Sequence, residues 1–151
     1  MLKNVDPLLT PEVLYVLAAM GHGDEFVLCD ANFPAASIAR TTSHGAVVGL
    51  AGVDAAAAAR AILSVLPLDE FVAAPAWRME VTDSPGEVPP VQQEVQAELD
   101  RAAGRPLAMA SLERFAFYEA ARNAFAVVAT GERRFYGCFI FKKGVISPDA
   151  D

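Results

Sequence analysis

The chain has 151 residues, of which 54% are hydrophobic and 21% charged, so it can bury a core as one globular domain. Its formal net charge of −7 argues against a nucleic-acid partner, because phosphates require a basic face. Two cysteines form no disulfide framework, and Asp6 and Glu12 interrupt the N-terminal segment, which is unlike a secretory signal. We therefore expect a cytoplasmic protein with no nucleic-acid and no membrane partner.

The first half of the sequence predicts two helices and two strands. Thr10-Pro11-Glu12 is a typical helix start, with a hydroxyl N-cap followed by proline and an acidic residue, and Gly21 ends this helix. Apolar runs at 26–29 and 46–50 predict buried strands. An aspartate followed by an alanine-rich run predicts a second helix over 54–66.

The second half predicts two more helices and three more strands. Val91, Val95 and Leu99 recur every four residues in a polar segment, which indicates an exposed helix with a narrow apolar stripe. Ser111 is the predicted N-cap of the next helix. Strands are expected at residues 76–81, 125–129 and 138–141. The alternation of helices and strands predicts a single α/β domain over 1–151.

The segment Gly21-His22-Gly23-Asp24 raises the possibility of a functional histidine. It does not match a dinucleotide-binding loop, because the third glycine position holds Phe26 and the helix precedes the strand. A lone histidine is more often structural than catalytic. Flanking glycines, however, leave the imidazole of His22 accessible, and histidine transfers protons near neutral pH. Both a structural and a catalytic histidine fit this pattern.

Further polar side chains fall at places where a ligand could bind. Asp30 follows the strand at 26–29, at the edge where ligands collect in open α/β sheets, although it could equally cap a turn. Arg114 and Tyr118 lie one helical turn apart, on a helix that could also present an aromatic core face. Tyr136 precedes the flexible Gly137 at the start of the last strand. No spacing of histidines or cysteines predicts a metal site. These residues suggest an acid–base site for a small hydroxylated ligand.

Segments 20–35, 114–119, 130–137 and 142–145 resemble the signatures of the D-ribose pyranase / L-fucose mutarotase (RbsD/FucU) family, with the closer likeness to the fucose branch. The resemblance covers nearly the whole chain and is weakest over 81–110. It implies a three-layer single domain, in which helices flank a mostly parallel or mixed sheet. It also implies a ring-shaped homodecamer that interconverts the anomers of a monosaccharide without a cofactor. The alternatives are a D-ribose pyranase activity and a non-catalytic sugar-binding accessory role.

The resemblance also implies roles for individual residues. His22 becomes the general acid/base, and Asp30 and Arg114 become sugar-binding residues. The segment Tyr136-Gly137-Cys138 becomes part of the binding site, and we add Tyr118 because of its spacing from Arg114.

Two positions depart from the family pattern. Cys138 stands where the family usually has asparagine, and a thiol is the weaker hydrogen-bonding group. Asn32 stands where fucose members often have histidine. We also expect neighbouring subunits to complete each pocket.

Overall fold

The computed structural model of the chain describes residues 1–149, with five helices and six strands in this range. The helices are α1 (Pro11–Ala19), α2 (Ala35–Ala39), α3 (Ala55–Leu63), α4 (Pro90–Ala103) and α5 (Arg114–Arg122). The strands are β1 (Glu25–Cys29), β2 (Val47–Leu50), β3 (Ala76–Met79), β4 (Met109–Leu112), β5 (Ala126–Thr130) and β6 (Phe139–Lys142).

The six strands form one mixed sheet in the order β2–β5–β1–β6–β3–β4. Strand β5 is parallel to both β1 and β2, and β3 is parallel to β4. Strand β6 is antiparallel to its two neighbours, β1 and β3. The C-terminal end of β1 therefore lies beside the N-terminal end of β6, which brings residues near 30 next to residues near 138.

Helices cover both faces of this sheet, so the domain has three layers. Because successive strand residues point to opposite faces, Phe26 and Leu28 pack in the core with α1, α3 and α4. Val27 and Cys29 pack on the other face with α2 and α5. The predicted three-layer α/β fold with a mixed sheet is confirmed.

Helix starts and apolar spacing were predicted well where the signals are local. The Thr10 hydroxyl accepts a hydrogen bond from the backbone N–H of Val13, at 3.3 Å, and caps α1. Asp54 caps α3 in the same way. Helix α4 buries its apolar stripe of Val91, Val95 and Leu99, as expected from their spacing.

The prediction was wrong around Ser111, which lies in β4 and caps no helix. The carboxylate of Glu113 caps α5 instead, accepting hydrogen bonds from the backbone N–H groups of Phe115 and Ala116. Strand β4 is half-buried along its whole length and is paired on one side only, by β3, so it carries no strong alternating pattern. The short helix α2 was also missed, because its N-cap position is Pro34, which supplies no capping side chain.

Within residues 1–149, no helix combines the length and the apolar character needed to cross a bilayer.

Candidate functional site

A cavity of about 390 Å³ opens at one end of the two central strands, where β1 ends and β6 begins. Its polar lining comes from three distant segments: Asp30 and Asn32 after β1, Arg114 and Tyr118 on α5, and Tyr136 and Cys138 before β6. The structure thus brings five of the predicted site residues to one pocket. Gly137, the sixth, does not line the pocket itself, but its backbone N–H donates a hydrogen bond to Asp30, which does.

The buried carboxylate of Asp30 joins two walls of this pocket. Its Oδ1 accepts hydrogen bonds from the backbone N–H groups of Asn32 (2.9 Å) and Phe33 (3.1 Å). Its Oδ2 accepts from the backbone N–H of Gly137 (3.1 Å) and from the thiol of Cys138 (3.3 Å). A carboxylate offers about four acceptor positions, so all are in use. The thiol is the weakest of these donors and is the one that a ligand hydroxyl could replace.

Both cysteines, Cys29 and Cys138, are buried free thiols. Burial, reinforced by the charge of Asp30, raises the pKa of Cys138 well above its usual value. Burial likewise raises the pKa of Cys29. Cys138 therefore remains a neutral S–H donor in the pocket.

Gly137 is required by a close approach of the chain to Asp30. A Cβ atom at this position would lie 2.9 Å from Cγ of Glu132 and 3.4 Å from Cβ of Asp30. Any side chain here would push the segment before β6 away from Asp30.

Arg114 and Tyr118 form a single unit on the exposed side of the pocket. The Nε–H group of Arg114 donates to the Tyr118 hydroxyl at 3.1 Å. The guanidinium also lies 5.5 Å from the ring centroids of both Tyr118 and Phe115. The hydrogen bond to Tyr118 raises the pKa of Arg114, so this group is a permanent cation. Their predicted one-turn spacing is confirmed.

An ion-pair network holds the loop between β5 and β6 behind the pocket. The Arg134 Nε–H group donates to Oε1 of the buried Glu132 at 2.9 Å, and its two terminal nitrogens pair with Glu94 on α4 at 2.8 Å each. The carbonyl of Glu132 accepts from the N–H of Ala31, next to Asp30. The pKa of Glu132 is lowered from 4.5 to about 2, mainly by the hydrogen bonds that its carboxylate accepts from the Arg134 side chain.

This network predicts a specific loss of stability in acid. Because the pKa of Glu132 is lower in the folded chain, its stabilisation is complete above about pH 4.5 and is lost as the pH falls toward 2. We expect Glu132→Gln to lower the free energy of unfolding at pH 7 by about 3 kcal/mol. In this variant the free energy of unfolding should also decrease less between pH 4.5 and pH 2 than it does in the wild type. Urea unfolding at a series of pH values measures both effects. Glu119→Gln, which alters an exposed ion pair with Arg122, is the control and should change the profile little.

His22 lies away from this pocket, at the other end of β1. It precedes the strand and Asp30 follows it, so the five residues of β1 separate them by roughly 17 Å. The imidazole is about half exposed, and its Nε2 lies 3.3 Å from Oδ1 of the buried Asp69. The ring also packs on Phe71, at 5.7 Å between centroids. Within one copy of the chain, His22 and Asp30 do not share a cavity.

The Asp69 carboxylate orients this histidine. A hydrogen bond from the backbone N–H of Phe71, followed by the contact with His22, lowers the pKa of Asp69. Asp69 is therefore an anion that can only accept, so His22 carries its proton on Nε2 and leaves Nδ1 free to accept another.

Sequence reasoning missed three residues around these sites: Asp69, Gln92 and Glu132. Gln92 carried a usable signal, because it is three residues before Val95 and seven before Leu99, on the buried face of α4. A polar residue on an apolar stripe indicates a buried hydrogen-bonding role. No local pattern marked Asp69 or Glu132. Their links to the two sites, from Asp69 to His22 and from the Glu132 carbonyl to Ala31, join segments far apart in the sequence.

Within the described residues, no group of three or more His, Cys, Asp or Glu side chains is arranged to hold a metal ion.

Comparisons with known proteins give a consistent picture. The model of the RbsD / FucU transport protein family matches residues 3–146. The chain belongs to the RbsD / FucU family. The fucose mutarotase of Homo sapiens is 48% identical to this chain over 149 residues. The match covers 97% of this chain and 95% of that protein.

Two solved structures share the fold of this RbsD / FucU chain. One, described as a putative sugar binding protein, is 54% identical, with a TM-score of 0.95 and 97% of each chain covered. The other is the fucose mutarotase from Streptococcus pneumoniae in complex with L-fucose. It is 34% identical, with a TM-score of 0.86, and the match covers 97% of this chain and 100% of that one.

Proposed function

We propose that the protein is a mutarotase, an isomerase that interconverts the α and β anomers of L-fucose or a similar monosaccharide by general acid/base catalysis without a cofactor. The observation that carries this proposal is the pocket around Asp30. It combines a buried carboxylate, a cation held by Tyr118 and two phenols in a cavity of about 390 Å³. That volume lies within the range of small-molecule sites.

The chemistry of the lining suits a neutral molecule with several hydroxyl groups. Asp30 accepts hydrogen bonds, Arg114 donates them, and the hydroxyls of Tyr118 and Tyr136 can do either. We propose these four side chains, together with Gly137 and Cys138, as the sugar-binding residues. A sugar hydroxyl would take the place of the Cys138 thiol on Asp30, so the cysteine does not prevent binding.

We propose His22 as the general acid/base, supplied to each pocket by a neighbouring copy of the chain. Its distance from Asp30 within one copy supports this arrangement. Exposed aromatic side chains near His22 and near the pocket support this arrangement. Phe71, which is 78% exposed, lies beside His22, and Phe135, which is 73% exposed, lines the pocket. Joining these ends would bury both rings, and repeating the contact would close a ring, proposed here as a homodecamer.

In the proposed reaction, His22 first accepts a proton from the sugar and then returns a proton to it. Nδ1 takes the proton of the anomeric hydroxyl as the bond between C1 and the ring oxygen breaks. The ring oxygen receives a proton from the imidazolium, directly or through water or a sugar hydroxyl, and the open-chain aldehyde forms. Rotation about the C1–C2 bond and the reverse steps close the ring on the other face. No redox change and no net loss of a proton occur.

Magnetisation-exchange NMR between the two anomers tests the proposal directly. We expect the wild-type protein to accelerate exchange of L-fucose in proportion to its concentration. A panel containing L-fucose, D-ribose and related sugars would identify the substrate, including the pyranose–furanose exchange of a D-ribose pyranase. No acceleration with any sugar would contradict the proposal.

A second candidate is a sugar-binding accessory protein without catalysis, which the name of the 54% identical relative supports. It predicts saturable sugar binding that survives His22→Ala, with no anomer exchange by the wild type. Two buried free thiols suit a reducing compartment, so we propose the cytoplasm as the location for either function.

A further inference from the structure

The backbone of Tyr136 adopts a conformation that needs support from its surroundings. Its φ angle is +62°, in the left-handed region that residues with a side chain rarely occupy. Such conformations persist where neighbouring contacts hold them, and they concentrate at ligand sites. This conformation turns the chain so that the next N–H group, that of Gly137, points at Asp30.

The support comes from Gln92, a glutamine that is 1% exposed on the inner face of α4. Its Nε2 group donates one hydrogen bond to the carbonyl of Tyr136 at 2.9 Å and another to the carbonyl of Met79 at 2.7 Å. Met79 and Tyr136 both line the pocket, on different segments of the chain. One amide nitrogen therefore ties two pocket walls together.

The neighbours of Gln92 determine the orientation of its amide. Its Oε1 accepts from the guanidinium of Arg78 at 3.1 Å, and arginine can only donate. The two carbonyls at Nε2 can only accept. A glutamate here would set a carboxylate oxygen against two carbonyl oxygens, and an apolar residue would leave both carbonyls without a donor.

We propose that Gln92 is a positioning residue of the sugar pocket, which holds the Tyr136 backbone in its left-handed conformation and so aligns Gly137 and Asp30 for the ligand. It touches neither the reacting atoms nor His22. Its role in binding rests on the proposed function, because it assumes that this pocket takes a sugar.

Gln92→Met tests the proposal, because methionine keeps the length and packing of the side chain but has no amide. With two carbonyls left unpaired, we expect KM for L-fucose to rise about tenfold to a hundredfold, with kcat within about threefold of wild type. Gln92→Glu should raise KM at least as much. Gln93→Met is the matched control, since its amide binds the exposed carbonyl of Val88 outside the pocket, and its KM should not change.

A second measurement needs no sugar. Hydrogen exchange of the Gly137 amide, followed by NMR, should become at least tenfold faster in Gln92→Met, while amides in the middle of β1 keep their protection.

The outcomes separate this proposal from the proposed function. A KM within twofold of wild type together with an unchanged Gly137 amide would overturn it, even if the variant unfolds at a lower temperature. A fall in kcat like that expected for His22→Ala would overturn it as well. If the wild-type protein neither binds nor interconverts any sugar, the proposed function fails, and the Gly137 amide alone then decides whether Gln92 positions this segment.

Discussion

Replacing His22 with alanine is expected to lower kcat for anomer exchange by about 10²- to 10⁴-fold, the usual contribution of a general acid/base. Binding should change little, because Asp30, Arg114 and the tyrosines would still hold the sugar. KM should therefore stay within a few-fold of wild type while kcat falls. Magnetisation-exchange NMR at several sugar concentrations measures both parameters.

His44→Ala is the matched control for this experiment, since it removes the other histidine of the chain. His44 lies beside Glu12 and Tyr15 and does not line the pocket around Asp30. Its loss should leave kcat unchanged. If His22→Ala retained the wild-type kcat, or if both variants lost activity equally, His22 would not be the proton-transfer group.

The second large effect concerns the assembly of the site from two copies. Arg114→Ala removes a cationic donor, and below KM it should lower activity about tenfold to a hundredfold. His22→Ala and Arg114→Ala chains are each impaired, but in a mixed ring some sites receive His22 from one copy and Arg114 from the other. Random mixing makes roughly a quarter of the sites intact. We expect co-expressed, mixed rings to regain roughly a quarter of wild-type activity.

Two control samples test whether the recovered activity comes from sites shared between two copies. Rings of each variant alone, mixed only after purification, should show only the low summed activity of the two variants as long as the subunits do not exchange. The double variant His22→Ala/Arg114→Ala, co-expressed with the wild type, should form intact sites at about the same frequency. If the mixed rings were no more active than the sum of their parts, or if the protein were a monomer with full activity, the site would be formed within one copy.

The elements that were predicted well depend on residues close together in the chain. Thr10 caps α1 through a hydrogen bond to Val13, three residues away. The stripe of α4 depends only on the 3.6-residue period of a helix, and the burial of Val91 and Val95 follows from it. Strand β4 was missed because its pairing with β3, more than thirty residues earlier in the chain, has no counterpart in the local sequence.

The candidate site divides in the same way. The sequence by itself determined the candidates for the site: His22, Asp30 and Arg114 from motifs that resemble those of the family, and Tyr118 from its spacing to Arg114. Their roles stay predictions. It also predicted that Arg114 and Tyr118, one helical turn apart, could reach one ligand together, and a hydrogen bond does join their side chains.

Only the tertiary structure decided how these groups are arranged. The antiparallel pairing of β1 with β6 brings Asp30 to Gly137 and Cys138, more than a hundred residues later in the chain. The direction of β1 places His22 at the opposite end of that strand from Asp30, so within one chain the two residues do not share a cavity. The buried amide of Gln92 joins Met79 to Tyr136 through space alone. Capping and periodicity are properties of neighbouring residues, whereas strand order and buried hydrogen bonds depend on which distant segments meet.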